Sequence, residues 1–282
     1  MHNFIHHIKS ALSAIYDEQE SQSILSLIIQ HATGQSLPVL LSDKNKKITP
    51  VQKQNIQEIL ERLQNNEPIQ YIIGETEFFG LPFVVNPDVL IPRPETEELV
   101  ESIINNNHYA TPRILDIGTG SGSIAVSLKK HIPNAYVEAW DFSEKALNVA
   151  ETNAEINKTR IEFRKVDILK EYPANNIFDI IVSNPPYVLE SEKKDMNHNV
   201  LDFEPHSALF VPDDNPLLFY ERIADISKGL FKKKGCLYLE INQGKGIETI
   251  KLLEEKGFSD IRLIKDMSGN DRMVKAEFKN KI

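Results

Sequence analysis

Apolar positions in the first third of the chain recur at helical intervals: Phe4, Ile5, Ile8, Leu12 and Ile15, then Ile24, Leu25, Ile28 and Ile29 before Gly34. Thr49-Pro50-Val51-Gln52 has the form of a capping box with proline at the first helical position, and the face of the helix it opens is Val51, Ile56, Ile59, Leu60 and Leu63. From residue 69 to 89 the pattern changes to β-branched and aromatic residues broken by Gly74, Gly80, Pro82 and Pro87, which predicts a β-hairpin. Strand-like runs at 113–117, 136–140, 161–166, 178–183 and 235–241 then alternate with helical patterns, the signature of a largely parallel sheet with right-handed crossovers. Two last runs, 261–265 and 273–278, flank Ser268-Gly269-Asn270-Asp271 and predict a hairpin at a sheet edge. The expected organisation is a helical bundle (1–68), a β-hairpin linker (69–90) and an α/β domain (91–282).

The chemistry gathers where predicted strands end. Gly118-Thr119-Gly120-Ser121-Gly122 joins the first strand to a helix, the nucleotide-binding end of a βαβ unit, where missing side chains let a ligand approach backbone N–H groups. A dinucleotide fingerprint would need glycine at 123, where Ser123 stands, so a hydride-transfer cofactor fits poorly and another adenosyl ligand fits better. Asp141 ends the second strand, where a carboxylate accepts from ribose hydroxyls; helix capping at Asp141 or Ser143 is the competing reading. Asp167 and Ile168 follow the third strand, beside where an adenine would lie.

The fourth strand delivers Asn184-Pro185-Pro186-Tyr187. The Asn184 side-chain oxygen and the Pro185 carbonyl, stiffened by the two prolines, form an acceptor pair suited to the two hydrogens of a planar NH2 group. The substrate group is therefore an amide or an aromatic amine.

Composition narrows the field. Lys and Arg number 32 against 41 Asp and Glu, a net charge of -9 that argues against a general nucleic-acid grip. The lysines at 232–234 read as a solvated loop before a strand. The single cysteine, Cys236, permits no intrachain disulfide and sits in an apolar strand pattern. The eight histidines are scattered, so no metal site is expected. No apolar run approaches membrane-spanning length and the start lacks a leader pattern, so a cytoplasmic location is expected. Residues 190–214 form a long polar segment after Tyr187, read either as a cap over the site or as a surface excursion.

With these residues in hand, the chain resembles a known group. The glycine turn from Asp116 to Gly122, the acidic end of the second strand and N-P-P-Y are similar to those of S-adenosylmethionine-dependent methyltransferases that modify planar nitrogens. The segments 74–80 (GETEFFG) and 91–97 (IPRPETE), with Glu204-Pro205-His206-Ser207-Ala208-Leu209, resemble the protein-(glutamine-N5) methyltransferases of class-1 peptide chain release factors. The likeness runs from about residue 49 to residue 278. It implies a Rossmann-like, seven-stranded class I methyltransferase domain, S-adenosylmethionine as cofactor, and the glutamine of the release factors' Gly-Gly-Gln loop as substrate. It also implies that Gly118, Thr119, Gly120, Ser121, Gly122, Asp141, Asp167, Ile168 and Asn184 hold the cofactor, while Asn184, Pro185, Pro186 and Tyr187 carry the transfer. N-P-P-Y also suits adenine-N6 methylation of DNA or RNA, so that substrate, and a non-catalytic adenosyl-binding module, are the alternatives.

Overall fold

Five helices come first in the computed structural model, which describes residues 2–42, 47–174 and 177–279. They are α1 (His2–Leu12), α2 (Glu18–Thr33), α3 (Leu37–Ser42), α4 (Pro50–Gln64) and α5 (Ile69–Ile73). The sequence signals at their ends are realised: Asp17 caps α2 and Gly34 closes it in the left-handed region at φ 70°. The box opening α4 is formed in both directions, Thr49 Oγ1 accepting from the Gln52 amide and Gln52 Oε1 from the Thr49 amide. Ile8, Leu12, Ile28, Ile29, Ile56 and Leu63 are fully buried in one apolar cluster. Val51 departs from the expected face and is 69% exposed, because it lies five positions before Ile56, well round the helix from the buried stripe.

A second departure is the stretch 69–73, which is helical rather than extended. Pro68 supplies the φ of an N-cap and Gly74, at φ 79°, terminates the turn, so local capping overrides the β-branched composition. The hairpin begins one residue later, with β1 (Glu75–Phe78) and β2 (Leu81–Val84). Its two-residue turn places Phe79 at φ 51° and Gly80 at φ 71°. A left-handed phenylalanine is unfavourable, and the Phe79 amide is held by Glu97 Oε1 at 2.7 Å.

The remaining elements are α6 (Pro94–Asn106), β3 (Arg113–Ile117), α7 (Ser123–His131), β4 (Tyr136–Asp141), α8 (Glu144–Ile156), β5 (Glu162–Lys165), β6 (Phe178–Ser183), β7 (Val188–Leu189), α9 (His198–Leu201), β8 (Phe210–Val211), α10 (Leu218–Leu230), β9 (Phe231–Glu240), α11 (Gly246–Glu255), β10 (Ser259–Lys265) and β11 (Asp271–Lys279). Seven strands form one sheet in the order β10-β11-β9-β6-β3-β4-β5. The pairs β3–β4, β3–β6, β4–β5 and β6–β9 are parallel, and β11 runs antiparallel to both its neighbours. The final hairpin is thus present, but β11 lies inside the sheet and only β10 is at the edge. The lysines at 232–234 belong to β9 rather than to a loop; Lys232 reaches the buried Asp179 at 2.7 Å.

The chain divides into two compact units, one of residues up to Gly74 with His198–Phe203, the other of Glu75–Asn197 with the residues from Glu204 on. In the second unit the sheet is covered on both faces by apolar clusters, one around Trp140, Tyr220 and Leu239, the other around Phe78, Leu99 and Val182. Gly122 is required at the α7–α8 contact: it has φ 80°, and a Cβ there would lie 3.0 Å from the Ala150 Cβ.

Two polar groups in this core carry testable energetic consequences. Fully buried Asn153 on α8 accepts from the Val84 amide at 2.6 Å and donates to the Val84 and Ser121 carbonyls, each at 2.9 Å, so it clips the hairpin to the glycine turn. Asn153→Ala strands these groups and should destabilise the protein by about 2–4 kcal/mol in denaturant titration; a loss under about 0.5 kcal/mol would contradict the clip. Asp116, fully buried at the end of β3, has its carboxyl pushed up to about 7, chiefly by burial and only partly offset by the Thr119 hydroxyl at 2.7 Å. Between the carboxyl's ordinary titration near pH 4 and about pH 7, the folded state retains a proton that the unfolded chain has released, so this group's contribution to stability falls as pH rises through that window. Asp116→Asn should therefore flatten the decline of the denaturation midpoint between pH 5 and pH 8, and equal slopes for the two proteins would show Asp116 to be ionised throughout.

Candidate active site

The parallel register brings the singled-out residues to one edge. Ile117 lies opposite Trp140 on β4 and Ser183 on β6, and Ser183 lies opposite Leu239 on β9. Gly118, Asp141, Asn184 and Glu240 are the next residues of these four strands and so form a single row. Three bonds stitch it: the Ser183 hydroxyl donates to the Ile117 carbonyl at 2.6 Å, and the Trp140 carbonyl accepts from the amides of Gly118 and Thr119 at 2.8 and 2.9 Å.

A cavity of about 580 Å³ opens over this row. It is lined by Gly118, Thr119, Gly120, Ser121, Asp141, Asp167, Ile168, Asn184, Pro185 and Pro186, ten of the twelve residues expected there. Arg93, Thr96, Phe142 and Leu169 also line it, as do Pro205, Ser207, Ala208, Phe210 and Pro212 of the polar segment after Tyr187. The cap reading of that segment thus holds for its second half, which is anchored by parallel pairing of Val188 with Phe210 and Leu189 with Val211.

Gly122 and Tyr187 stand outside the lining. Gly122 serves helix packing, as above. Tyr187 packs against the apolar cluster behind the sheet edge, and its hydroxyl donates to Glu240 Oε1 at 3.1 Å. Burial beside that carboxylate pushes the Tyr187 phenol up, so it stays protonated.

The glycine turn works differently from a phosphate cradle. The Gly118 and Thr119 amides are taken by the Trp140 carbonyl, and the Gly120 amide by Asp141 Oδ2 at 2.9 Å. What the turn offers instead is space, since a Cβ added at Gly118 or Gly120 would meet nothing within 4 Å. That suits an adenosyl ligand without phosphates. Asp141 is not the helix cap; Ser143 is, accepting from the Ala146 amide at 3.2 Å. The buried Asp141 carboxylate accepts from the amides of Gly120 and Ser143, and burial raises its pKa against the lowering effect of those bonds. Asp167, more open, is held below the ordinary carboxylate range by Lys170 at 2.9 Å.

A buried polar network stands behind Asn184. Its Nδ2 donates to Thr96 Oγ1 at 3.2 Å, and Thr96 Oγ1 donates to Glu240 Oε2 at 2.6 Å. Thr96 and Glu240 are 3% and 1% exposed. Burial raises the Glu240 pKa, opposed by its bonds from Thr96 and Tyr187 and by Arg272. A second link joins the polar segment to the helix entrance: buried Glu204 accepts from Arg93 at 2.5 Å and from the Ile91 amide at 3.3 Å. Sequence reading left Thr96 and Glu240 without roles and gave the segment that begins at Glu204 a positional one. A usable signal existed for Glu240, an acidic residue closing an apolar strand, as Asp141 does.

Comparison with known proteins agrees with this geometry. Residues 94–203 match the model of the methyltransferase small domain and residues 3–74 that of the PrmC N-terminal domain. The chain is 48% identical, over 95% of its length and 96% of the relative's, to the release factor glutamine methyltransferase of Flavobacterium psychrophilum. It is 45% identical, over 98% and 99%, to that of Bacteroides thetaiotaomicron. A methyltransferase crystal structure from Pyrococcus furiosus, 18% identical, superposes with a TM-score of 0.53 over 80% of this chain and all of that one, a likeness of fold. The class I methyltransferase sheet, the open glycine turn and these relatives together establish that the chain belongs to the release factor glutamine methyltransferase family.

Proposed function

We propose that this enzyme methylates the side-chain amide nitrogen of a glutamine in class-1 peptide chain release factors, the glutamine of their Gly-Gly-Gln loop. The observation that carries the reading is the position of Asn184 and Pro185 on the same cavity as Gly118, Asp141 and Asp167, so that an NH2 acceptor pair adjoins an adenosyl-sized space. S-adenosylmethionine, the cofactor, supplies a methyl group bonded to a positively charged sulfur. Asp141 accepts ribose hydroxyls, Asp167 and Ile168 flank the adenine, and Gly118, Thr119, Gly120 and Ser121 form the wall that leaves room for the ligand.

An amide nitrogen is a weak nucleophile because its lone pair is shared with the carbonyl. Asn184 Oδ1 and the Pro185 carbonyl accept its two hydrogens and fix the direction in which the nitrogen faces. Both bonds strengthen as positive charge grows on nitrogen, which favours the transition state over the bound amide. The extra proton leaves once the nitrogen has become strongly acidic, so no side chain need act as base beforehand. Pro186 stiffens the turn, and Tyr187 acts from behind, through Glu240, rather than against the substrate.

The helical unit, matched by the PrmC N-terminal domain model, serves as the docking module for the release factor, in the cytoplasm. Among the described residues no helix is long and apolar enough to cross a membrane. Nucleic acid fits the net charge of -9 poorly as a substrate.

Labelled methyl should pass from S-adenosylmethionine to a folded release factor and be found by mass spectrometry on the Gly-Gly-Gln glutamine, with none on a factor lacking that glutamine or on DNA or RNA. Label on adenine would overturn the substrate assignment. Asn184→Ala should abolish transfer while leaving cofactor affinity within a few-fold, and undiminished turnover would remove Asn184 from the reaction. Asp141→Ala should weaken cofactor binding, measured by calorimetry, by about 1–3 kcal/mol through lost hydrogen bonds; a fall in rate at unchanged affinity would show that Asp141 does not hold the ribose.

A further inference from the structure

Thr96 lies in the PETE segment that opens α6, at the third helical position after Arg93, and nothing in the chemistry above uses it. With Glu240 ionised, the place of Thr96 in the network is set by hydrogen-bond polarity. The Glu240 carboxylate, when ionised, can only accept, and Thr96 gives it its single hydroxyl hydrogen at 2.6 Å. Thr96 Oγ1 then has only lone pairs to offer Asn184, so the Asn184 atom 3.2 Å away must be the donor, Nδ2. Turning the Asn184 amide over would set two acceptors against each other beside nearly buried side chains, Thr96 at 3% and Glu240 at 1% exposure. Glu240 is itself held on its other oxygen by the Tyr187 hydroxyl at 3.1 Å.

We infer that Thr96, polarised by Glu240, is a positioning residue that sets the amide orientation of Asn184, so that the carbonyl oxygen rather than the NH2 is presented to the substrate. An inverted Asn184 would offer two hydrogens to a group that has two of its own, and the reaction would lose its acceptor. The inference rests on the assignment of Asn184 as an amide acceptor. It gives a physical role to the threonine of the PETE segment and to the tyrosine of N-P-P-Y, which steadies the carboxylate at the far end of the chain of bonds.

The test compares Thr96→Val, which keeps the shape and removes the hydroxyl, with Thr96→Ser, which keeps the hydroxyl, and with Asn184→Ala, in methyl transfer to a folded release factor. Thr96→Val should lower kcat by about 10- to 100-fold, the scale of misplacing one oriented group, with KM for the release factor and cofactor affinity within about 3-fold of wild type. Thr96→Ser should stay within about 3-fold in kcat. A wild-type kcat in Thr96→Val, an equal fall in Thr96→Ser, or a fall matched by lost affinity would each overturn the inference. If Asn184→Ala turns over normally, the acceptor assignment itself fails; if Asn184→Ala is inactive and Thr96→Val is not, only the role of Thr96 fails. A readout that needs no folded Thr96 variant is side-chain amide exchange in the 15N-asparagine-labelled wild-type enzyme, the Asn184 signal being identified by its absence in Asn184→Ala. One slowly exchanging Nδ2 hydrogen is expected, and two fast ones would overturn the inference.

Discussion

Parallel pairing of the short, buried β3 with β4 on one side and β6 on the other is the constraint on which the rest of the molecule depends. Because parallel strands leave the sheet in the same direction, the register that sets Ile117 against Trp140 and Ser183 puts Gly118, Asp141 and Asn184 side by side without any further device. One register further, Ser183 against Leu239 adds Glu240 to the row. A slip of one residue would turn the buried side chains of β3 to the opposite face, so the packing that stabilises the sheet also fixes the geometry of the cavity. The site is a consequence of how the core is aligned.

The cavity combines two kinds of polar surface. On one side the amides of Gly118, Thr119 and Gly120 are already bonded to the Trp140 carbonyl and the Asp141 carboxylate, which makes the turn rigid and leaves open space in place of an anion cradle. On the other, Asn184 and Pro185 line the cavity in front of a network in which Asn184 meets Thr96, and Thr96 and Tyr187 both donate to Glu240. Reactivity of an amide nitrogen depends on alignment more than on acid–base assistance, and in the proposed mechanism both halves of this cavity supply alignment.

Much of this was legible in the sequence because the signals are local. A strand, glycines and a helix follow one another between Arg113 and Lys130; Thr49 and Gln52 are three residues apart; an acidic residue ends the second strand. Local pattern failed where another local signal outweighed it and where a tertiary partner decides. Val51 lies off the buried face of its helix, residues 69–73 are capped into a turn by Pro68 and Gly74, and the lysines at 232–234 belong to β9, where Lys234 pairs with Lys279 of β11. The glycine turn was recognised, but its amides face inward because of Trp140 and Asp141, some twenty residues on. The Thr96–Glu240 bond spans 144 residues and the Asn184–Thr96 bond 88, and neither leaves a trace in spacing or composition. Tyr187 was grouped with Asn184 by the family resemblance, and the bond of its hydroxyl to Glu240, 53 residues on, is not readable from the motif.

The proposed chemistry depends on which atoms of Asn184 and Pro185 meet the substrate amide. A high-resolution crystal structure of the enzyme holding a release factor, with a non-reactive cofactor analogue in the cavity, reads this directly. The glutamine NH2 nitrogen should lie within about 3.2 Å of both Asn184 Oδ1 and the Pro185 carbonyl oxygen, with Asn184 Nδ2 still on Thr96. A glutamine whose carbonyl oxygen faces Asn184, or an Asn184 whose Nδ2 points into the cavity, would contradict it.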